Sequence, residues 1–341
     1  MFKTLLNECM DGKVLSETEA EQAMDEIMKG NATESQIASF LTIMRFRGET
    51  VDEMTGFTRS MREHAIQLPH EESFVIDTCG TGGDNRSTYN ISTASAIALS
   101  SFGVKVAKHG NRSVSSRSGS ADALDALGVA IQTSPEEAIQ SLRQQNMTFL
   151  FAPMYHVAMK HAVTPRKEIG FRTIFNLLGP LTNPANASAQ VIGVFDKEYA
   201  KKMAETLKRL GSKRVLLVTG EDGMDEVTIT GKTFITELNG GVIREYTITP
   251  EDVGLERANL SDVQVKTPEE SAALIRAIFT GEVNGAAKDI LLLNVAAGLY
   301  VSDEVTTFAE GVRTAEKALQ SGQFLQQLQR LQKEKVEKQH A

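Results

Sequence analysis

The sequence predicts an α/β protein with a small all-helical domain and a larger domain built on a central, mainly parallel sheet flanked by helices. Two observations predict it. Residues 1–66 carry apolar side chains at helical spacing, and no strand-like run interrupts them. From Ser73 onward, short apolar runs of strand length alternate with helical patterns, which is typical of a parallel sheet with helices on both faces.

The helical part contains three clear helix patterns. Ser16 is a typical N-cap, with Glu17 and Glu19 in the first turn. The apolar positions of that helix are Ala20, Met24, Ile27 and Met28. Residues 31–34 interrupt it, a second helix begins at Ser35, and a third covers residues 51–66. We therefore expect a compact helical unit at the N-terminus.

The second part alternates between strands and helices. We predict strands at residues 74–77, 104–107, 147–151, 190–194, 214–218, 227–229 and 233–238. We predict helices at residues 94–101, 121–127, 197–210, 268–279, 288–301 and 308–335. Ligands of such open sheets bind where the strands end, so the segments that follow the strands are the first candidates for a site.

Composition narrows the class of protein. The chain has 341 residues, of which 41% are hydrophobic and 23% charged, a globular profile. Its formal net charge of −8 disfavours broad binding of its surface to nucleic acid or to an anionic membrane. Two cysteines, Cys9 and Cys79, make no disulfide or zinc framework. No apolar run reaches the roughly 20 residues of a membrane span, and the charged N-terminus lacks signal-peptide character. We expect a cytoplasmic protein.

A glycine-rich turn follows the first predicted strand. Residues 77–85 contain three glycines in four positions, at Gly80, Gly82 and Gly83. Such a turn directs backbone N–H groups inward and binds anions. Residues 90–93 then place hydroxyl and N–H groups at a helix start, which favours phosphate. Asn85 replaces the third glycine of the dinucleotide fingerprint. The alternative is an ordinary glycine turn followed by a Ser/Thr cap.

A basic, serine-rich segment follows the second predicted strand. Residues 105–120 carry Lys105, Lys108, Arg112 and Arg117 but no acidic residue. Hydroxyl groups and glycines alternate with these cations, which suits several phosphate oxygens. The alternative is a solvated, flexible loop.

An acidic segment follows the strand predicted at residues 214–218. Residues 220–226 hold four carboxylates beside two glycines. Mg²⁺ uses few protein carboxylates and takes substrate phosphates as its other ligands, so this segment is a candidate magnesium site. The alternative is an acidic turn in water.

Together these segments resemble the anthranilate phosphoribosyltransferases. The resemblance runs in family order over about residues 10–330. It is carried by GTGGD at 80–84, NIST at 90–93, KHGNRSVSSRSGSAD at 108–122, FLFAPMYH at 149–156, RKEIGFRTIFNLLGPLTNP at 166–184 and MDE at 224–226.

The resemblance implies a fold shared with pyrimidine nucleoside phosphorylases, with the active site between two domains. It implies a helical domain formed by residues 1–70 with 163–185 returning to it. Residues 71–162 and 186–341 would form the α/β domain. It further implies a homodimer formed through the helical domain and Mg²⁺ as cofactor. A glutamine amidotransferase partner is left open.

Site residues follow position by position from the same resemblance. Phosphoribosyl pyrophosphate (PRPP) would contact Gly80, Gly83, Asp84, Thr88, Asn90, Ile91, Ser92 and Thr93. Its diphosphate and ribose would be wrapped by Lys108, His109, Gly110, Asn111, Arg112, Ser113, Val114, Ser115, Ser116 and Ser120. Ser92 would ligate one Mg²⁺, and Asp225 with Glu226 the other. Anthranilate would meet Gly80, Asn111 and Arg166, with His156 along its access path. Val157 stands where the family often has proline. Glu221 and Asp222 receive no role and are expected at the surface.

The implied reaction displaces diphosphate from C1 of the ribose by the amine of anthranilate. Negative charge builds on the leaving group, so positioned cations and N–H groups matter more than a strong base. The catalytic residues would be Lys108, Arg112 and Asn111. Two alternatives remain at this point: a pyrimidine nucleoside phosphorylase, and a non-catalytic relative that binds nucleic acid through the basic loop.

Overall fold

The structure is a computed structural model that describes residues 2–113, 118–131 and 134–339, with side chains up to residue 333. The N-terminal part is helical throughout, as predicted. Its helices are α1 (Phe2–Met10), α2 (Glu17–Met28), α3 (Glu34–Arg47) and α4 (Val51–Glu63). Capping boxes at Ser16, Thr33 and Thr50 begin α2, α3 and α4, so local sequence fixes where these helices begin.

Two later helices pack on this bundle. Helix α9 (Lys160–Ile169) contacts α3, and the short α10 (Ile174–Leu178) contacts α4. They share one apolar core with the N-terminal helices, and this core also includes Ile192 and Leu217 from the sheet. The bundle is therefore packed directly against one face of the sheet.

The sheet has seven strands. They are β1 (Ile76–Gly80), β2 (Val106–Gly110), β3 (Met147–Phe151), β4 (Ala189–Gly193), β5 (Arg214–Gly220), β6 (Thr233–Asn239) and β7 (Val242–Ile248). Their order is β3-β2-β1-β4-β5-β6-β7. The first five strands are parallel, and β6 and β7 are antiparallel. Because β1, β2 and β4 are neighbours, their carboxyl ends meet at one edge.

The other helices surround the sheet and one another. They are α5 (Ile91–Ser100), α6 (Ser120–Leu127), α7 (Pro135–Gln145), α8 (Ala152–Tyr155), α11 (Lys197–Arg209), α12 (Pro268–Phe279), α13 (Ala286–Val301), α14 (Phe308–Gln320) and α15 (Gln323–Gln339). Helices α5 and α13 are apolar almost all round and pack together in the centre of the larger core. No helix in the described ranges combines the length and apolar character that a bilayer crossing requires.

The predicted fold class is confirmed, with local differences. The strand predicted at 227–229 is wrong, because Asp222 folds that segment back: its carboxylate accepts from the Thr228 and Thr230 hydroxyls at 3.0 and 2.7 Å. The single helix predicted at 308–335 is two helices, which separate at Gly322 with φ +78°. Strand β7 was not predicted, although the Asn239-Gly240-Gly241 sequence is a typical hairpin signal.

Candidate active site

The glycine turn lies at the carboxyl end of β1. Gly82 and Gly83 have φ of +67° and +73°, values that a side chain strongly disfavours. The Gly82 N–H donates to Asp225 Oδ2 at 2.8 Å. A Cβ on Gly80 would lie 2.6 Å from the same oxygen. Glycine is therefore required here because the acidic segment, distant in sequence, packs directly on the turn.

The start of helix α5 lies beside this turn. Its N-cap, Asn90, makes no capping side-chain bond, and its amide instead contacts the Ser118 and Ser271 side chains. The Ser92 N–H donates to Glu226 Oε1 at 3.1 Å. Thr93 is fully buried and lines neither of the two cavities described below. The other N–H groups of residues 90–93 also have acceptors inside the protein: Asn90 donates to Ser271 Oγ, Ile91 to the Tyr89 carbonyl and Thr93 to the Asn90 carbonyl. Contact between these N–H groups and a phosphate therefore stays a prediction.

Lys108 is the most deeply placed cation of the site. It belongs to β2 and is 1% exposed. Its ammonium donates to the Thr78 carbonyl and, at 3.3 Å, to Ser92 Oγ. Burial lowers the pKa of Lys108, while the Asp77 carboxylate opposes that shift. The ammonium is therefore fixed between β1 and the start of α5, where an anion would bind.

After Lys108, the structure describes the basic segment through Arg112 and Ser113 but not residues 114–117. Arg112 is half exposed and pairs with Asp122 at 2.8 Å and Asp125 at 3.6 Å. The Asp122 carboxylate also accepts from the Ser113 N–H at 2.9 Å, so it holds the start of the loop. Val114, Ser115 and Ser116 lie outside the described residues, and their predicted contacts with PRPP stay predictions.

Three carboxyl groups face one another across the site. Desolvation raises the pKa of Asp225, and the neighbouring Asp84 carboxylate raises it further. Desolvation and the Asp225 charge likewise raise the pKa of Glu226. Among the described residues, no group of three His, Cys, Asp or Glu side chains is arranged for a metal. The oxygen donors of Ser92, Asp225 and Glu226 nevertheless fit Mg²⁺, a hard cation that takes its other ligands from substrate and water.

These groups enclose a cavity of about 240 Å³. It contains most of the residues expected to bind PRPP and magnesium. They are Gly80, Gly83, Asp84, Thr88, Asn90, Ile91, Ser92, Lys108, His109, Gly110, Asn111, Ser120, Asp225 and Glu226. Its walls combine N–H groups, a buried ammonium and carboxylates, which suits a phosphorylated ligand accompanied by a divalent cation.

A larger cavity of about 500 Å³ adjoins the first one. The residues that line both cavities are Cys79, Gly80, Gly82, Gly83, His109, Gly110, Asn111 and Gly119. Apolar side chains from both structural parts line the larger cavity, among them Met61, Pro153, Val157, Val163 and Phe175. Of the described residues, its lining includes the cations Arg112, Lys160 and Arg166 and no Asp or Glu. This combination suits a flat apolar molecule with a negative charge.

Arg166 provides a half-buried positive charge in the larger cavity. Its guanidinium carbon lies 5.2 Å from the centroid of the Phe175 ring, and burial lowers the pKa of Arg166. No ion pair or side-chain hydrogen bond is formed by Arg166 within the described residues. A half-buried guanidinium without an ion-pair partner is stabilised when an anionic ligand binds beside it.

His109 and His156 form a pair in the same cavity. Their ring centroids are 5.1 Å apart. Burial, together with the neighbouring His156, lowers the pKa of His109 to about 3. Burial lowers the pKa of His156 to about 4. Both rings are therefore neutral at physiological pH and add apolar surface without competing charge.

The structure also places residues that the sequence reasoning missed. Met61, Lys160, Phe175 and Asn176 line the larger cavity. Arg172 packs against the glycine turn, where a Cβ on Gly83 would lie 3.0 Å from its Nε. Arg172, Phe175 and Asn176 were inside the segment 166–184 that carried the resemblance. Sequence could therefore have nominated these three, but only the fold shows which side chains reach the site.

Asp222 differs from its sequence interpretation. The sequence suggested a surface side chain without a role. Its carboxylate instead accepts from the Met224 N–H at 3.0 Å and from two threonine hydroxyls. Asp222 thus shapes the turn that presents Asp225 and Glu226.

Comparisons with known proteins agree with this geometry. The model of the glycosyl transferase family a/b domain matches residues 72–325, and that of the helical bundle domain matches residues 3–65. An anthranilate phosphoribosyltransferase of Halalkalibacterium halodurans is 58% identical and covers 100% of both chains.

Solved structures give the same result. Anthranilate phosphoribosyltransferase from Thermus thermophilus has a TM-score of 0.90 at 42% identity, over 96% of this chain and 97% of that one. The Saccharomyces cerevisiae protein, in complex with PRPP and Mg, has a TM-score of 0.90 at 26% identity, over 98% of each chain.

Fold and site thus define a glycosyl transferase with a helical bundle and an a/b domain. More narrowly, the chain belongs to the anthranilate phosphoribosyltransferase family. The nucleoside phosphorylase and nucleic-acid-binding alternatives are not favoured.

Proposed function

We propose that the two cavities divide the two substrates of anthranilate phosphoribosyl transfer. The smaller cavity takes PRPP with Mg²⁺, and the larger one takes anthranilate. The observation that carries this division is the contrast between the linings: N–H groups, an ammonium and carboxylates in one, apolar side chains with cations in the other. The shared residues, among them Gly80 and Asn111, mark where C1 and the amine meet.

The phosphoribosyl group is held by fixed backbone and side-chain groups. The backbone of the glycine turn and the residues at the start of α5 line the smaller cavity, where they would contact the diphosphate and phosphate. Lys108 adds a positive charge that its bonds to Thr78 and Ser92 hold in place. These groups are positioned before reaction, so they stabilise the charge that develops on the leaving diphosphate at little cost in reorganisation.

Magnesium is the proposed cofactor, in keeping with the yeast relative in complex with PRPP and Mg. Ser92 would hold one ion, and Asp225 with Glu226 a second. When bound, the ion neutralises negative charge on the diphosphate. A bound Mg²⁺ would also offset the mutual repulsion of the Asp84, Asp225 and Glu226 carboxylates, and this relief would favour Mg²⁺ binding.

Anthranilate is oriented by the larger cavity. Its carboxylate pairs with Arg166, its ring packs among the apolar side chains, and Asn111 orients the amine. The amine of an aromatic ring is neutral at physiological pH and carries its own lone pair. It attacks C1 as diphosphate leaves with the electrons of the C1–O bond, inverting the configuration at C1. The proton is lost after the bond forms, so no catalytic base is required.

The direct test is the loss of anthranilate fluorescence on mixing the protein with PRPP and Mg²⁺. We expect a time-dependent loss that requires all three components. Unchanged fluorescence, together with phosphorolysis of thymidine or uridine, would support the nucleoside phosphorylase alternative instead. A salt-dependent gel shift at micromolar protein would support nucleic-acid binding.

We further propose that residues 163–185 belong to the helical domain with residues 1–70, and that the chain forms a homodimer through that domain. The contacts of α9 with α3 and of α10 with α4 support the first proposal. The exposed Met10, Val14 and Phe46 support the second, because Phe46 is 93% exposed. We expect light scattering to give twice the chain mass for the protein and a lower mass for Phe46→Glu.

We also propose a cytoplasmic location, which the composition supports.

A further inference from the structure

Arg172 lies between the segment that carries Arg166 and the glycine turn. Its guanidinium carbon is 4.3 Å from the centroid of the Phe195 ring. On its other side, a Cβ on Gly83 would lie 3.0 Å from Arg172 Nε and 3.3 Å from Cδ. The side chain is therefore packed between an aromatic ring and the backbone of the glycine turn.

The charge of Arg172 is not neutralised locally. Among the residues described by the structure, Arg172 forms no ion pair and no side-chain hydrogen bond, and the Phe195 ring is its partner. Arg112, by contrast, pairs with two carboxylates. A half-buried guanidinium beside a turn of N–H groups raises the positive potential there.

The glycine turn depends on its neighbours for its direction. Gly82 and Gly83 have positive φ and no side chains that could fix the turn. On one side, the Thr81 N–H donates to the Gly193 carbonyl at 2.9 Å. The Phe195 N–H donates to Thr81 Oγ1 at 3.3 Å. Phe195 therefore contacts the glycine turn through its backbone N–H and Arg172 through its ring.

We propose that Arg172 is a positioning residue for PRPP. Packed on Phe195, it holds Gly83 so that the Gly83 N–H faces the diphosphate, and it adds positive charge behind the turn. The inference rests on the proposed binding of PRPP in the smaller cavity. Arg172 does not line either cavity, so it acts through the turn and not by contact with substrate.

The test measures whether loss of Arg172 weakens the binding of PRPP, of anthranilate or of both. We would prepare Arg172→Met, which keeps length but removes charge and planarity, and Arg172→Lys, which keeps charge. Phe195→Leu removes the ring but keeps Arg172. Lys197→Met is the matched control, because Lys197 lies 5.0 Å from the Phe234 ring centroid, in a similar contact outside both cavities. The measurements are KM for both substrates and the Kd of magnesium pyrophosphate by calorimetry.

We expect Arg172→Met to raise KM for PRPP and the Kd of magnesium pyrophosphate about tenfold, leaving KM for anthranilate within about twofold. Arg172→Lys should recover part of the loss. Phe195→Leu should weaken magnesium pyrophosphate in the same direction, and combining it with Arg172→Met should add little. The Lys197→Met control should match the unmodified protein.

Three results would overturn the inference. The first is magnesium pyrophosphate affinity unchanged in Arg172→Met. The second is an equal loss for both substrates, which indicates general disruption. The third is a neutral Phe195→Leu, which indicates that the Phe195 ring does not hold Arg172 in place. If the unmodified protein binds no magnesium pyrophosphate, the proposed function itself fails, and that outcome is distinct from these three.

Discussion

At the residue scale, the site depends on positive charges that are buried or half-buried before any substrate binds. Lys108 and Arg166 are two such groups, and burial lowers the pKa of both. Each lies in a different cavity. A buried charge without a strong partner costs stability, and that cost is offset when an anionic substrate binds. The two cations therefore give each cavity its own preference for a negative group.

Replacing Arg166 should affect mainly anthranilate. Arg166→Ala removes a charge-assisted hydrogen bond worth about 1.5–3 kcal/mol, which corresponds to about tenfold or more in KM for anthranilate. KM for PRPP should change much less, and Arg166→Lys should be intermediate because it keeps the charge. Steady-state kinetics with each substrate varied in turn gives the answer. Equal losses for both substrates would show that the division of the cavities is wrong.

The buried histidines predict how stability depends on pH. The pKa of His156 falls to about 4 in the folded state, below the usual value of about 6.5. The unfolded chain therefore binds more protons below pH 6.5, so the stabilisation is complete above that pH. It is lost as pH falls toward 4, by up to about 1.4 kcal/mol per pH unit.

Denaturant unfolding at several pH values measures this dependence. His156→Gln should reduce the loss of stability between pH 6.5 and 4 relative to the unmodified protein. Parallel stability curves for the two proteins across that range would contradict the assigned shift.

The sequence predicted many candidate site residues but not their burial or their protonation. The resemblance named Lys108, Arg166 and His156, whereas burial, which sets their charge, depends on the whole fold. Arg172 was inside a matching segment, yet its contact with Gly83 joins residues far apart in the chain. Only the packing of the segment after α9 against the glycine turn makes that contact visible.

At the element scale, the ends of β1 and β4 and the turn before β6 form one unit. Gly80 and Gly193 are opposite each other in the parallel pair. A Cβ on Gly193 would overlap the Asp225 carbonyl. The acidic turn can therefore lie across the strand ends only because both positions are glycine.

Gly193→Ala tests this arrangement. The new methyl group must displace the backbone of the acidic turn, and such overpacking typically costs about 1–3 kcal/mol. We expect lower stability and weaker Mg²⁺-dependent activity. Gly231→Ala is the control, because its Cβ would meet only the flexible end of Glu221, at 3.0 Å. Thermal unfolding and a magnesium titration of activity measure both effects. A Gly193→Ala protein that behaves like the control would refute the close approach.

Sequence periodicity located most elements but not every boundary. The parallel strands were found because apolar runs and helical patterns alternate. Residues 227–229 are all β-branched, as in a strand, but the Asp222 carboxylate accepts from the hydroxyls of Thr228 and Thr230 and the segment folds back as a turn. The break at Gly322 was missed because apolar spacing continues on both sides of it.

At the scale of the whole molecule, the helical bundle and the sheet share a core. Phe40 and Phe57 from the bundle belong to the same apolar cluster as Ile192 and Leu217 from the sheet. The return of 163–185 was implied by resemblance alone, because local sequence carries no signal for packing between distant segments. The larger cavity lies where these parts meet, with Met61 and Phe175 in its wall.

This shared core predicts that the bundle does not fold alone. A fragment of residues 1–66 loses the partners of its buried face, and its small size leaves little other apolar area to bury. We expect circular dichroism to show a weak, non-cooperative thermal transition for the fragment and a cooperative one for the full chain. A cooperatively melting fragment would indicate an independent domain.

The central claim is that a glycine turn, a buried ammonium and acid-bound magnesium together hold the diphosphate of PRPP. Calorimetric titration of PRPP, with and without Mg²⁺, into the protein and into Asp225→Asn/Glu226→Gln tests it most directly. We expect saturable heat that depends on Mg²⁺ in the unmodified protein and a strongly reduced response in the variant. No heat at saturating Mg²⁺, or an undiminished response in the variant, would contradict the account.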